Sequence, residues 1–234
     1  MLVGDTAAQM ILGYDSTLPA SMDVMIELTA AVRRGAPKAM IMADMPFGSY
    51  QCGDDQAMRN ATRFLTDGTA DWVKLEVDAS FAPLVERMGR AGIPVVAHVG
   101  SRPQHVRQAG GFRAAGRTKR DADRVVADAE AMLRAGAEAI LVEAVPNEVS
   151  QRIVDQAMTH DRAPTPVIGC GAGNCCHGHV VVLHDVLGMT DWQPPFAKPL
   201  GAIGPAIADA AGAWVSKVAD GDYLKDDHPY SMNE

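Results

Sequence analysis

Residues 135–143 read Ala135-Gly136-Ala137-Glu138-Ala139-Ile140-Leu141-Val142-Glu143, and the fold turns on them. Upstream, Lys119 to Arg134 carries apolar residues at helical spacing, and Gly136 is the residue type that stops a helix in a left-handed turn. Ala139 to Val142 is then an apolar run of strand length, with an acid directly after it. Helix, glycine stop and buried strand form one step of a parallel α/β sheet.

The same step recurs in both directions. Ser21 to Arg34 reads as a helix closing at Gly35 and Pro37, Asp54 to Thr66 as one closing at Gly68, and Ala91-Gly92 repeats the punctuation. Apolar runs fall at Leu2 to Gly4, Ala39 to Ala43, Trp72 to Leu75, Pro94 to Ala97, Pro166 to Gly169 and Val180 to Leu183. With Ala139 to Val142 they make about seven parallel strands, and one unit repeated around a sheet predicts a single barrel domain over 1–234, of the TIM (β/α)8 type. Because the chain opens inside a strand-like segment, the first strand–helix unit of such a barrel is expected to be missing. The two edges left unpaired then need cover from a terminal segment or a neighbouring subunit.

Composition limits the function classes. Of 234 residues, 47% are hydrophobic, 21% charged and 5% aromatic, enough apolar side chains for a sizeable core. The net charge of -8 opposes a phosphate backbone or an anionic membrane, so no nucleic acid and no membrane is expected as a partner. No apolar run reaches the ~18 residues of a membrane span, and the start lacks the basic and apolar regions of a secretory signal, which points to the cytoplasm. Cys52, Cys170, Cys175 and Cys176 do not form a disulfide framework and are expected to be reduced.

In parallel α/β folds the downstream strand ends meet at one mouth, and here they carry Asp5, Asp44, Glu76, His98 and Glu143, with Lys74 beside Glu76. An acid after a strand is often only a turn former or a helix cap. Several acids and a histidine converging on one rim suit a hard divalent cation with positions open to substrate, and Mg²⁺ is the natural choice. Cys170, Cys175, Cys176, His177 and His179 lack the spacing of a zinc site and are read as a loop beside the mouth. Gly169, Gly171 and Gly173 can bring backbone amides to an anion but lack dinucleotide spacing. Gly110-Gly111-Phe112-Arg113 with Arg117 is either a grip for an acidic substrate tail or a solvated loop.

These residues lie in stretches that resemble the ketopantoate hydroxymethyltransferase (3-methyl-2-oxobutanoate hydroxymethyltransferase) family, a barrel family of the phosphoenolpyruvate/pyruvate superfamily. The matching stretches are VGDT (3–6), GYDSTLP (13–19), AVRRGAP (31–37), ADMPFGSY (43–50), VKLE (73–76), PQHVRQAGGFRAAGR (103–117), LVEAVP (141–146), GCGAG (169–173) and VVLHDVLG (181–188). The resemblance implies transfer of a hydroxymethyl group from 5,10-methylenetetrahydrofolate to 3-methyl-2-oxobutanoate through a Mg²⁺-stabilised enolate, a step in pantothenate and coenzyme A biosynthesis. It implies Asp5, Asp44 and Glu76 as metal ligands, Glu76 directly or through water, and Glu143 as the catalytic acid/base. Asp5, Thr6, Asp44, Lys74 and His98 are implied as substrate contacts, His98 competing with a purely structural reading. It also implies a homo-oligomer, a ring of dimers. Thr6 stands where the family usually has Ser, Ala7-Ala8 where it has Leu-Gly, Val77-Asp78 where it has Gly-Gly, and Ala97 where it has Gly. Those departures keep alive a paralogous Mg²⁺-dependent enzyme or C–C lyase acting on another 2-oxo acid, and a non-enzymatic subunit is the third reading.

Overall fold

The computed structural model describes residues 1–225, Tyr230 and Met232. Seven strands form one parallel sheet: β1 (Leu2–Val3), β2 (Met42–Asp44), β3 (Trp72–Glu76), β4 (Val95–Gly100), β5 (Ala139–Glu143), β6 (Val167–Cys170) and β7 (Gly178–His179). Each strand pairs with its chain neighbour in the order β1 to β7, the arrangement of a curled, TIM-type barrel sheet. Among the described residues β1 and β7 each have a single strand neighbour.

The helices follow from local chemistry. α1 (Ala7–Met10) is one turn, and α2 (Met22–Gly35) starts where the Ser21 hydroxyl accepts from Val24 N at 3.3 Å. α3 (Asp54–Thr66) carries Asp54 and Asp55 in its first turn, and α4 (Ala82–Arg90) has Pro at its start. α5 (Val106–Ala109) is short, α6 (Lys119–Ala135) is capped by Thr118 and stopped by Gly136 at φ 88°, and α7 (Asn147–Ala157) follows β5. The helices expected over Ser21 to Arg34, Asp54 to Thr66 and Lys119 to Arg134 thus form with ends moved by at most a residue or two.

One strand departs from expectation. A strand is expected over Val180 to Leu183, yet the paired residues are Gly178 and His179; Val180 N still donates to Gly169 O at 2.9 Å, and Leu183 opens α8 (Leu183–Val186). His177 N donates to Val167 O at 2.9 Å and starts the pairing two residues earlier than expected, while Val181 and Leu183 are 44% and 64% exposed.

The period of two along each strand sorts the side chains into two layers. Ala43, Val73, Leu75, Val95, Ala97, Val99, Ile140, Val142 and Val167 enter the large core shared with helix residues such as Met25, Phe64, Val85 and Met132. The alternate positions form a smaller core of Met42, Val96, Ala139 and Leu141 inside the curl. Continuing that inner face downstream gives Asp44, Lys74, Glu76, His98 and Glu143, so apolar residues floor the interior and polar ones line its mouth.

The chain divides into two compact units, Met1–Val180 and Val181–Glu234. In the second, buried Asp185 accepts from the Thr190 hydroxyl at 2.9 Å, and α9 (Ile203–Ala219) has no buried residue. No helix among the described residues is long and apolar enough to cross a membrane.

Candidate active site

Strand register assembles the mouth. Asp44 pairs in register with Lys74, Glu76 with His98, and Gly100 with Glu143, so four neighbouring strands present their functional side chains in sequence; Asp5 arrives from the turn after β1. Asp5, Asp44, Lys74, Glu76 and His98 are each at most 3% exposed. Such burial of charge is tolerated only when the groups compensate one another or a ligand.

The contacts form a continuous chain. Asp44 Oδ1 lies 2.5 Å from Lys74 Nζ, which lies 3.1 Å from His98 Nδ1. His98 Nε2 faces Glu143 Oε2 at 3.5 Å, and Glu76 Oε1 is 3.9 Å from His98 Nδ1. Asp5 N donates to Asp44 Oδ2 at 3.1 Å, tying β1 to β2. Burial, then the nearby Lys74 charge, pushes the His98 pKa well below its usual value, so the ring is neutral. With Nδ1 accepting from the lysine, the ring proton resides on Nε2, directed at Glu143.

Three carboxylates surround one ammonium. Burial and then the Asp44 charge push Asp5 up to about 7, and burial holds Glu76 well above the usual carboxylate range. Burial also lifts Glu143 to about 7. For Lys74 burial opposes the charge, but Asp44, Glu76 and Asp5 outweigh it and raise the pKa above the ordinary lysine value. The deficit of positive charge is what a divalent cation would cancel. Among the described residues no three His, Cys, Asp or Glu side chains converge tightly enough to enclose an ion unaided. Hard oxygen donors in small number suit Mg²⁺, which keeps several waters and takes one or two protein carboxylates. Asp44 Oδ1 is paired to Lys74, and the buried His98 Nε2 has only the long 3.5 Å contact to Glu143, so the site's polar atoms are not saturated by one another.

The other predicted residues fall as follows. Thr6 heads α1 half-buried, and its hydroxyl caps nothing. His177 Nδ1 accepts from Val167 N at 3.0 Å, a structural task, and Cys175 Sγ lies 3.8 Å from Asn147 O, consistent with a loop beside the mouth. The segment from His105 through α5 to Thr118 leaves Gln104 beside Asp5 and returns through Ala115 N, which donates to Ala144 O at 3.0 Å next to Glu143. Its Arg107, Arg113 and Arg117 are exposed. Val77 is buried and donates its N–H to His98 O at 3.0 Å, while Asp78 caps Ser80 and pairs with Arg102 at 2.9 Å.

Two residues at the site escaped the sequence reading: Gln104, 3% exposed, and Tyr50, 2% exposed. Gln104 Nε2 donates to Asp5 Oδ2 at 2.9 Å, and the Tyr50 hydroxyl meets Gln104 Oε1 at 2.8 Å. Both lie in quoted stretches, ADMPFGSY and PQHVRQAGG, which is the signal that would have flagged them.

A family model described as ketopantoate hydroxymethyltransferase matches residues 1–226. A curated 3-methyl-2-oxobutanoate hydroxymethyltransferase of Koribacter versatilis (strain Ellin345) is 41% identical over 234 residues, covering 99% of this chain and 77% of its own. One of the same name from Syntrophus aciditrophicus (strain SB) is 42% identical over 231 residues, covering 98% and 83%. Among solved structures, phosphoenolpyruvate phosphomutase from Streptomyces platensis subsp. rosaceus superposes with TM-score 0.58 at 15% identity, covering 98% of this chain and 79% of that one, a likeness of fold. With a family match over nearly its whole length, the chain belongs to the ketopantoate hydroxymethyltransferase family.

Proposed function

We propose that this chain adds a hydroxymethyl group from 5,10-methylenetetrahydrofolate to C3 of 3-methyl-2-oxobutanoate, giving ketopantoate. The observation that carries the reading is the chain of contacts from Asp44 through Lys74 and His98 to Glu143, which joins a carboxylate site for a cation to a base. Asp5 and Asp44 would hold Mg²⁺, with Glu76 acting directly or through water. When bound, the ion supplies Lewis-acid polarisation of the 2-oxo group, which makes the C3 proton acidic.

The side chains supply the rest. Lys74, fixed as an ammonium, and Thr6, with its uncommitted hydroxyl, contact the substrate oxygens. Glu143 takes the C3 proton, its pKa near 7 being matched to that work at neutral pH. Ring opening and addition of water break the two carbon–nitrogen bonds of the folate's methylene, which releases it at the formaldehyde level with tetrahydrofolate as leaving group. The electron pair freed at C3 forms the new bond to that carbon, and its water-derived oxygen takes up a proton to become the hydroxyl. His98 directs its Nε2 proton at Glu143 and orients the carboxylate. The folate's carboxylates meet the exposed Arg107 of α5 and Arg113 and Arg117 of the segment that follows it. Val77 and Asp78 carry structural contacts, so their departure from the family pattern does not call for another substrate.

The reading also takes the protein to be a cytoplasmic homo-oligomer, and the exposed apolar side chains of Ile207, Trp214, Val215 and Val218 on α9 support self-association. The test is turnover with Mg²⁺, 3-methyl-2-oxobutanoate and methylene-labelled folate. Label in ketopantoate is the expected result; turnover confined to another 2-oxo acid would overturn the reading.

A further inference from the structure

We infer that Gln104 is a positioning residue that presets the Asp5 and Glu76 carboxylates for a divalent cation, an inference that rests on the metal reading above. Gln104 sits in the turn Pro103–His105 just beyond β4, and it reaches three other strand ends. Its Nε2 donates to Asp5 Oδ2 at 2.9 Å and to Met45 O at 3.0 Å. Its backbone N–H donates to Glu76 Oε2 at 3.0 Å. One residue therefore holds one oxygen of each carboxylate and leaves the other oxygen of each to an ion or its waters.

The amide has only one workable orientation. Asp5 Oδ2 and Met45 O are acceptors, so only the NH₂ end can face them. The Oε1 end is met by the Tyr50 hydroxyl at 2.8 Å and by Gln51 Nε2 at 3.2 Å, both able to donate. Tyr50 is itself pinned: its hydroxyl oxygen accepts from Glu76 N at 3.1 Å, and its one proton is shared between Glu76 O at 3.0 Å and Gln104 Oε1, to which Gln51 Nε2 also donates. A flipped amide would set oxygen against two acceptors in a buried site. Tyr50 thus fixes Gln104, and Gln104 fixes the two acids. Partners of this kind typically change metal affinity by about 10–100-fold when removed.

The experiment is Mn²⁺ binding to the full chain at pH 8, read from the electron paramagnetic resonance signal of the free ion, for wild type, Gln104→Leu, Tyr50→Phe, the double variant and Asp5→Asn. Gln104→Leu is expected to weaken Mn²⁺ by about 10–100-fold. Tyr50→Phe is expected to weaken it less, and the double variant no more than Gln104→Leu, because both act through one amide. An affinity for folded Gln104→Leu within about threefold of wild type, even with a lowered melting temperature, would overturn the positioning role alone. Should Gln104→Leu fail to fold, an unchanged affinity in Tyr50→Phe would overturn it. No binding by wild type, or full affinity in Asp5→Asn, would instead overturn the metal reading.

Discussion

Replacing Glu143 by glutamine keeps the shape of the side chain and removes both the base and its charge. General base catalysis contributes about 10²–10⁴-fold, or roughly 3–5 kcal/mol of barrier, so exchange of the substrate's C3 proton should slow by that factor. Wild-type exchange should rise about tenfold per pH unit and level off above about 7, where burial has placed the Glu143 pKa. The variant's residual rate should lack that inflection.

Stability should move the opposite way. With its carboxyl raised from 4.5 to about 7, folded Glu143 holds its proton more tightly than the unfolded chain does. That contribution is fully present below pH 4.5 and is lost as pH rises through about 7. The shift corresponds to at most about 3 kcal/mol, and partial solvent access to a side chain 22% exposed reduces it to about 1–2 kcal/mol. Relative to wild type, Glu143→Gln should therefore gain stability between pH 5 and pH 8. The assay is loss of the C3 proton signal in heavy water with Mg²⁺ by nuclear magnetic resonance, paired with urea unfolding at both pH values. A variant that keeps more than about a tenth of the exchange rate, with the inflection intact, would refute the role of Glu143.

Three further outcomes are expected. Lys74→Met leaves Asp5, Asp44 and Glu76 without their internal cation and should cost about 3–5 kcal/mol without metal, partly restored by Mg²⁺; a melting curve unmoved by either change would contradict the charge balance. Gly100→Ala should destabilise by about 1–3 kcal/mol and slow exchange, because a Cβ there would lie 2.5 Å from Glu143 O and 2.9 Å from Val145 Cγ1 at φ 97°, and unfolding and exchange assays check it together. Ile207→Asp on α9 should shift the protein to a smaller species in sedimentation, since it places a charge on an apolar helix face; an unchanged mass would remove α9 from the interface.

Most of the fold was legible because parallel strands buried on both faces read as short apolar runs, and because Gly136 stops α6 as its position suggests. The Asp5, Asp44, Lys74, Glu76, His98 and Glu143 set was legible for a related reason. Charged residues directly after such runs have nowhere to go but the mouth. Val180 to Leu183 misled because apolar composition does not reveal register, and the pairing fell on Gly178 and His179. Gln104 and Tyr50 lie four and six residues past the ends of β4 and β2, not directly after a strand, so only the family stretches that contain them point to the site. Gln104 reaches Asp5 across 99 positions of sequence, a contact that periodicity cannot encode.

The measurement that bears most directly on the central claim is a crystal structure with Mn²⁺ and 3-methyl-2-oxobutanoate, located by the anomalous signal of the metal. The expected result is one ion against Asp5 and Asp44, chelated by the oxo acid, with the substrate's C3 within reach of Glu143. An ion bound elsewhere, or C3 turned away from Glu143, would contradict it.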